Sequence, residues 1–325
     1  MTTTTHGGPD ALGVPRWDFS TNANASGPCP SALAAVQRAD ARPYPDPSYT
    51  ALRESLAAFH AVDAARIVLA GSASEFIGRF TAWVARNGGK QVWLPVLAYG
   101  DYAQAAQAWQ FERVRDPARA HLAWLCEPSS PLGEVEPFAR SVVASGAQVV
   151  LDRAYEPLRL SGRCGLEAAA LRQVWQLWTP NKAMGLTGVR GAYAIAPERA
   201  VAQARALDQL APSWPLGAHA VALLDAWVSP TAQDWLAQSL ERLREWRASQ
   251  RQLLTELDWT VLPGDANYFC AAPPRPLDAP ALRAAGIKLR DTTSFGLPGH
   301  WRLGVLPPEA QAALGTALRR AEVFE

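Results

Sequence analysis

Leu177-Trp-Thr-Pro-Asn-Lys-Ala-Met-Gly-Leu-Thr-Gly-Val-Arg190 is the stretch on which the reading of this chain turns. An apolar, strand-like run ends there, Lys182 follows, and a glycine-punctuated turn leads to Arg190. Lysine is scarce: of thirty-one basic residues only Lys90, Lys182 and Lys288 are lysines. A lysine held half desolvated at a strand end can form a Schiff base with a carbonyl cofactor. A nearby arginine can hold that cofactor's phosphate through a planar pair of donors. Alone, a lysine in a loop is a solvated charge, so the surroundings decide.

Upstream, from about Ser48 to Ala194, helical and strand periods alternate. Ser48 to His60 reads as a helix with Leu52, Leu56 and Phe59 on one face and Ser48 as its N-cap. Ile67-Val-Leu-Ala70 is a short apolar run, and a helix through Phe76, Ile77, Phe80 and Trp83 follows it. Further apolar runs lie at Gln91 to Leu94, Leu122 to Cys126, Gln148 to Leu151, Val174 to Trp178 and Gly191 to Ala196. Helical stretches such as Tyr102 to Trp109 and Pro137 to Ser145 separate several of them. Near-continuously apolar strands with helices between them predict an α/β fold with a mostly parallel sheet covered on both faces.

Downstream of Pro215 the character changes. Asp234 to Asp258 reads as a long helix with Leu236, Leu240, Leu243 and Leu253 on its apolar side. Short strands at Asn267 to Ala271, Ile287 to Arg290 and Trp301 to Val305, a helix at Leu277 to Ala285 and a last helix from Pro308 make an α+β unit. The expected division is an N-terminal arm with part of a small domain over 1–47, a large cofactor-binding domain over 48–215, and an interdomain helix with the small C-terminal domain over 216–325. The crevice between domains is then the expected site.

Composition removes other classes. A net charge of +1 in 325 residues, without a basic block, gives no electrostatic reason to bind nucleic acid or an anionic membrane. No apolar run approaches 18 residues, so no membrane span is expected. Four dispersed cysteines (Cys29, Cys126, Cys164, Cys270) and five scattered histidines show no zinc spacing and suggest no disulfide scaffold, as in a cytoplasmic protein. Met1-Thr-Thr-Thr-Thr-His-Gly-Gly-Pro9 lacks the parts of a signal peptide and reads as a disordered tail.

In open α/β sheets ligands bind beyond the carboxyl ends of the strands, and the unusual polar residues fall there. Asp152 closes the run Gln148-Val-Val-Leu151, with Tyr155 after it, and Lys182 follows Trp178. Gly71-Ser-Ala-Ser-Glu75 joins a strand to a helix, whose first N–H groups could cradle a phosphate.

These residues, in this order, resemble the class I/II, fold-type-I pyridoxal-phosphate aminotransferases, nearest the histidinol-phosphate aminotransferase and threonine-phosphate decarboxylase group. The resemblance runs from about Phe19 to the end. Its anchors include Asn22-Ala-Asn-Ala-Ser-Gly-Pro28, Tyr44-Pro-Asp-Pro47, Gly71-Ser-Ala-Ser-Glu75, Ala98-Tyr-Gly-Asp-Tyr102 and Glu127-Pro-Ser-Ser-Pro-Leu-Gly133. Leu151-Asp-Arg-Ala-Tyr155, the Lys182 run, Gly264-Asp-Ala-Asn-Tyr268 and Trp301-Arg-Leu303 complete them.

The resemblance implies a large domain with a central, mostly parallel sheet between helices, a smaller α+β C-terminal domain, and pyridoxal 5′-phosphate as cofactor. It implies that Lys182 forms the internal aldimine and shuttles the substrate's α-proton, that Asp152 keeps the pyridine nitrogen protonated, and that Tyr155 hydrogen-bonds the ring's phenolic oxygen. Tyr99 is expected on the ring face, and Arg190 with the backbone of Ala73 and Ser74 at the phosphate. Tyr44 is expected to reach the phosphate of a neighbouring subunit, which implies a homodimer. Arg302 is matched to a substrate carboxylate, Arg290 to a substrate phosphate and Asn24 to substrate. Taken singly, Asp152 reads as a strand-end cap, the tyrosines as packing and the arginines as surface ion-pair residues.

Two departures bear on the cofactor. The family usually reads Asn-Pro-Asn-Asn-Pro-Thr-Gly where this chain has Glu127-Pro-Ser-Ser-Pro-Leu-Gly133, so Ser130 replaces the asparagine that donates to the ring oxygen. Asn181 replaces a serine or threonine that usually touches the phosphate. The short connection Phe111 to Leu122 looks more like the cobalamin-pathway decarboxylases. Three readings follow: an aminotransferase acting on an amino acid or a phosphorylated amino compound, a threonine-phosphate decarboxylase of cobalamin biosynthesis, and a non-catalytic binding protein on the same fold.

Overall fold

A strand buried on both faces must be apolar at every position, and Ile67–Ala70 and Leu122–Cys126 are buried throughout. In the computed structural model, which describes residues 7–322, these two strands belong to a seven-stranded sheet. Its spatial order is Ile67–Ala70, Ala192–Ile195, Trp175–Trp178, Gln148–Asp152, Leu122–Cys126, Gln91–Trp93, Glu112–Val114. Ala192–Ile195 is antiparallel to both neighbours; the other pairings are parallel. Alternate side chains serve opposite faces. Leu122 and Trp124 pack with Phe76, Phe80 and Tyr102, while Ala123 and Leu125 pack with Ala139 and Val142. The strand Glu112–Val114 escapes sequence reading because two of its three residues are exposed and show no apolar run.

A second sheet, antiparallel, holds Arg290–Asp291, Trp301–Gly304, Tyr268–Ala272 and Thr260–Val261 in that order. The strand expected over Ile287 to Arg290 is split at Leu289: Ile287–Lys288 pairs in parallel with Trp17–Asp18 of the N-terminal arm. The arm continues along Gly304, whose N–H reaches Phe19 O at 2.7 Å. A Cβ at Gly304 would stand 2.7 Å from Thr21 O, so only glycine admits this approach.

Several boundaries move for local reasons. The first long helix spans Thr50–His60, not from Ser48, and Ser48 is not its cap. Asp46 instead accepts the N–H of Ser48 and, at 2.7 Å, that of Thr50. The long helix expected from Asp234 spans Pro230–Thr255, started early by Ser229, whose Oγ accepts the Ala232 N–H, and by Pro230 in the first turn. Asp278 caps Ala279–Ala284. Pro30–Arg38 and Ala218–Trp227, two alanine-rich helices, pack together and are absent from the sequence reading.

The tail reading is corrected at its end. Residues 1–6 lie outside the described residues, but Gly7, Gly8 and Pro9 are fixed. Gly8 N–H donates to Ser20 Oγ at 2.9 Å, and Gly8 O accepts Lys288 Nζ at 2.6 Å. Asp10 forms ion pairs with Arg283 and Lys288. Among the described residues, no helix is long and apolar enough to cross a membrane and no His/Cys/Asp/Glu group could hold a metal.

Candidate active site

The carboxyl ends of the parallel strands open on a cavity of about 620 Å³, closed on the other side by Arg290 and Arg302 of the small sheet and by Gly7 to Pro9 of the arm. Every site residue singled out in the sequence lines it except Tyr44 and Asn24.

Lys182 is held by its own loop. The N–H groups of Met184 and Leu186 return to Pro180 O and Asn181 O, and the arm grips the outside through Asn24 N–H to Lys182 O and Cys29 N–H to Met184 O. Gly185 has φ +66° with Pro28 Cα within 3.1 Å of a notional Cβ, so the turn needs glycine. The Lys182 ammonium is half-buried and stands 5.2 Å from the centroid of the Tyr155 ring.

Asp152 is buried at the end of its strand. Oδ1 accepts the Ala154 N–H at 2.9 Å and Oδ2 accepts the Tyr102 hydroxyl at 2.7 Å. Burial pushes its carboxyl above the usual range, opposed by the Tyr102 and Ala154 hydrogen bonds and by the Lys182 charge.

The helix Ala73–Arg86 is capped by Ser72, whose Oγ accepts the Glu75 N–H, while Glu75 Oε2 reaches back to accept the Gly71 N–H. The N–H groups of Ala73 and Ser74 lie in the first turn, where no intrahelical acceptor exists, and Arg190, exposed, lines the same cavity. Tyr99 lines the same wall, its phenol pushed up mainly by burial. Asn181 spends its amide donors on Thr187 O and Val189 O, tying down the lysine loop, while its Oδ1 is buried and unpartnered.

On the far wall Arg302 is buried, with Nη1 donating to Ser130 Oγ at 3.1 Å and Nη2 to Ser20 O at 3.3 Å. Its Nε has no partner. Ser130 thus serves as an acceptor for an arginine. Arg290 donates to Asp291 O and to Ser294 Oγ.

Two expected residues stand elsewhere. Asn24 is not a cavity residue: its Nδ2 donates to Ala183 O and Ser239 Oγ, and its Oδ1 accepts the Ser26 N–H. The amide is consumed in bracing the lysine loop. Tyr44 is exposed and stacks on Trp214 with ring centroids 4.3 Å apart. Conversely, Asn22, Thr179 and Tyr102 were missed. Asn22 and Thr179 line the cavity with unpartnered buried oxygens, and Asn22 Nδ2 donates to the Tyr155 hydroxyl at 3.3 Å. Asn22 lies in the same Asn22-to-Pro28 segment, two residues before Asn24.

The donor set fits pyridoxal phosphate: an amine, a buried carboxylate suited to a protonated ring nitrogen, and free helix N–H groups with an arginine suited to a phosphate. The family model described as aminotransferase class I and II matches residues 16–124 and 118–318. Histidinol-phosphate aminotransferase 1 of Thiobacillus denitrificans is 30% identical over 320 residues, 88% of this chain and 80% of that protein. Among solved structures, the histidinol-phosphate aminotransferase of Sinorhizobium meliloti in complex with pyridoxal-5′-phosphate superposes with a TM-score of 0.75 at 22% identity, covering 93% of this chain and 90% of that one. The L-threonine-O-3-phosphate decarboxylase of Porphyromonas gingivalis superposes with a TM-score of 0.76 at 19% identity, covering 94% and 99%. The chain belongs to the class I and II aminotransferases, pyridoxal-phosphate-dependent enzymes of fold type I.

Proposed function

We propose that this enzyme transaminates an α-amino acid that carries a second anionic group, phosphate or carboxylate. The observation that carries the reading is the pair Arg290 and Arg302 on one cavity wall: among the described residues neither forms an ion pair, and both are buried. Two desolvated guanidiniums without a counter-ion favour a substrate with two negative charges. Arg302 suits the α-carboxylate through its planar pair of donors, and Arg290 suits the second group.

Bound pyridoxal phosphate supplies a carbonyl that condenses with amines and a ring that takes up the electrons of a broken bond at the α-carbon. Lys182 Nζ would hold the cofactor and carry the α-proton. Asp152 would pair with the ring nitrogen, and Tyr155, whose oxygen accepts a hydrogen bond from Asn22, would donate its own proton to the ring's phenolic oxygen. Ala73 N–H, Ser74 N–H and Arg190 would hold the phosphate, with Asn181 bracing the lysine loop. Tyr99, on the cavity wall, would cover the ring face.

The same two arginines suit a phosphorylated threonine-like amino acid, which makes decarboxylation the second reading. Product analysis over a panel of acidic and phosphorylated amino acids tests both. A keto acid from an acidic or phosphorylated substrate supports transamination; released carbon dioxide assigns the second reading; turnover confined to neutral amino acids contradicts the account.

The exposed Tyr44–Trp214 stack supports a homodimer. Trp214 Nε1 donates to Pro45 O, and the neighbouring Pro215 O lies against Gly71 at the phosphate-binding turn. A second copy covering this stack would carry Tyr44 toward the partner's phosphate. The four free cysteines support a cytoplasmic setting.

A further inference from the structure

Tyr102 is wholly buried in the helix Gly100–Ala108, one turn after Tyr99. Its ring stacks on Trp124 with centroids 4.9 Å apart and planes 8° from parallel, and Tyr99 meets it edge-on at 5.6 Å. The hydroxyl donates to Asp152 Oδ2 at 2.7 Å. Packing contacts alone would be served equally well by phenylalanine, so the hydroxyl calls for its own explanation.

We propose that Tyr102 is a positioning residue acting through Asp152: its clamped hydroxyl holds the carboxylate ionised and turned so that its remaining lone pairs serve the cavity. A wholly buried carboxylate is costly to keep charged unless donors satisfy it. Asp152 has two such donors from the protein, one on each oxygen: the Ala154 N–H and the Tyr102 hydroxyl. The first fixes the strand end; the second comes from the helix Gly100–Ala108 and sets the rotation of the carboxylate plane. The phenol keeps its proton to donate to Asp152, because burial and the Asp152 charge push its pKa well above the ordinary value. Without the hydroxyl, Asp152 would take up a proton at higher pH, and a protonated Asp152 cannot balance a protonated ring nitrogen.

This inference rests on the proposal that Asp152 faces the ring nitrogen, so both are tested together. Holoenzyme is prepared as wild type, Tyr102→Phe, Asp152→Asn and the double variant. For each, the cofactor absorbance is titrated with pH, the dissociation constant for pyridoxal phosphate is measured by dialysis, and folding is followed by near-ultraviolet circular dichroism. Tyr102→Phe keeps the stack on Trp124 and should fold. Its acid-side absorbance transition should move up by about one to two pH units, the size expected for one hydrogen bond to a charged group. Its cofactor affinity should fall about tenfold, and the double variant should be no worse than Asp152→Asn alone. An unmoved transition in Tyr102→Phe, with Asp152→Asn clearly altered, overturns the inference and leaves the Asp152 assignment standing. Losses that simply add in the double variant overturn it too. A silent Asp152→Asn removes both. Should Tyr102→Phe not fold, fluorotyrosine at position 102 gives a stronger donor, which should move the transition to lower pH; no movement would again overturn the inference.

Discussion

Arg290 and Arg302 stand directly opposite each other on neighbouring antiparallel strands, and both guanidiniums lie over the ring of Phe295, at 4.9 and 5.4 Å. Arg302 also lies 5.5 Å from the Tyr268 ring. Aromatic faces hold the two cations in place without neutralising them. Burial, then the neighbouring Arg302 charge, lowers the pKa of Arg290. Two positive charges this close are tolerable when the occupant of the cavity is anionic.

The two arginines should separate by substrate. Arg302→Lys keeps the charge but loses the paired donors, and should raise the apparent Michaelis constant for every amino-acid substrate about tenfold to a hundredfold. The cofactor spectrum should not change. Arg290→Ala should penalise doubly anionic substrates by a similar factor and neutral amino acids little. Steady-state kinetics on aspartate, phosphoserine and alanine read this out, and an equal penalty on all three removes the argument for a second anionic group.

Asp152→Asn should act on the chemical step. Losing a charged contact of about 1.5–3 kcal/mol corresponds to roughly tenfold to a hundredfold or more in rate. Single-turnover measurements at full cofactor occupancy check it, and an unchanged rate would reduce Asp152 to a strand-end cap.

His60 should make the fold acid-sensitive. Its Nε2 meets the Tyr193 hydroxyl at 2.8 Å, that hydroxyl also accepts the Trp227 indole N–H, and burial, with the Arg153 charge second, lowers the histidine pKa to about 4. The folded value lies below the ordinary one of about 6.5. Between the two, the unfolded chain takes up a proton that the folded chain refuses, so stability present above pH 6.5 is lost as pH falls toward 4. The loss is at most about 3 kcal/mol. Urea denaturation at pH 7 and pH 4.5 should show a smaller pH-dependent loss in His60→Gln than in wild type, and equal losses would show that other groups cause it.

Strands buried on both faces were legible because burial dictates their composition: Ile67–Ala70 and Leu122–Cys126 were read with their observed ends. Glu112–Val114, held at the sheet edge by backbone pairing to Gln91–Trp93, carries no such signature. The strand-end residues that meet in the cavity were legible for the same reason, since the end of an apolar run is visible in one dimension. Tyr102 was not. Its partner Asp152 lies fifty residues away, and within its own helix it reads as an ordinary buried aromatic. Gly7 and Gly8 were read as tail because their reason for order, contact with Ser20 and Lys288, is wholly tertiary.

The most direct measurement concerns attachment of the cofactor. The purified protein, loaded with pyridoxal phosphate, should be yellow, and borohydride reduction followed by peptide mapping should place the cofactor on Lys182, with Lys182→Ala abolishing turnover. The cavity position of Lys182, 5.2 Å from the Tyr155 ring centroid, contrasts with Lys288, which is engaged by Gly8 O and Asp10. An adduct on Lys90 or Lys288, or no adduct at all, would contradict the account.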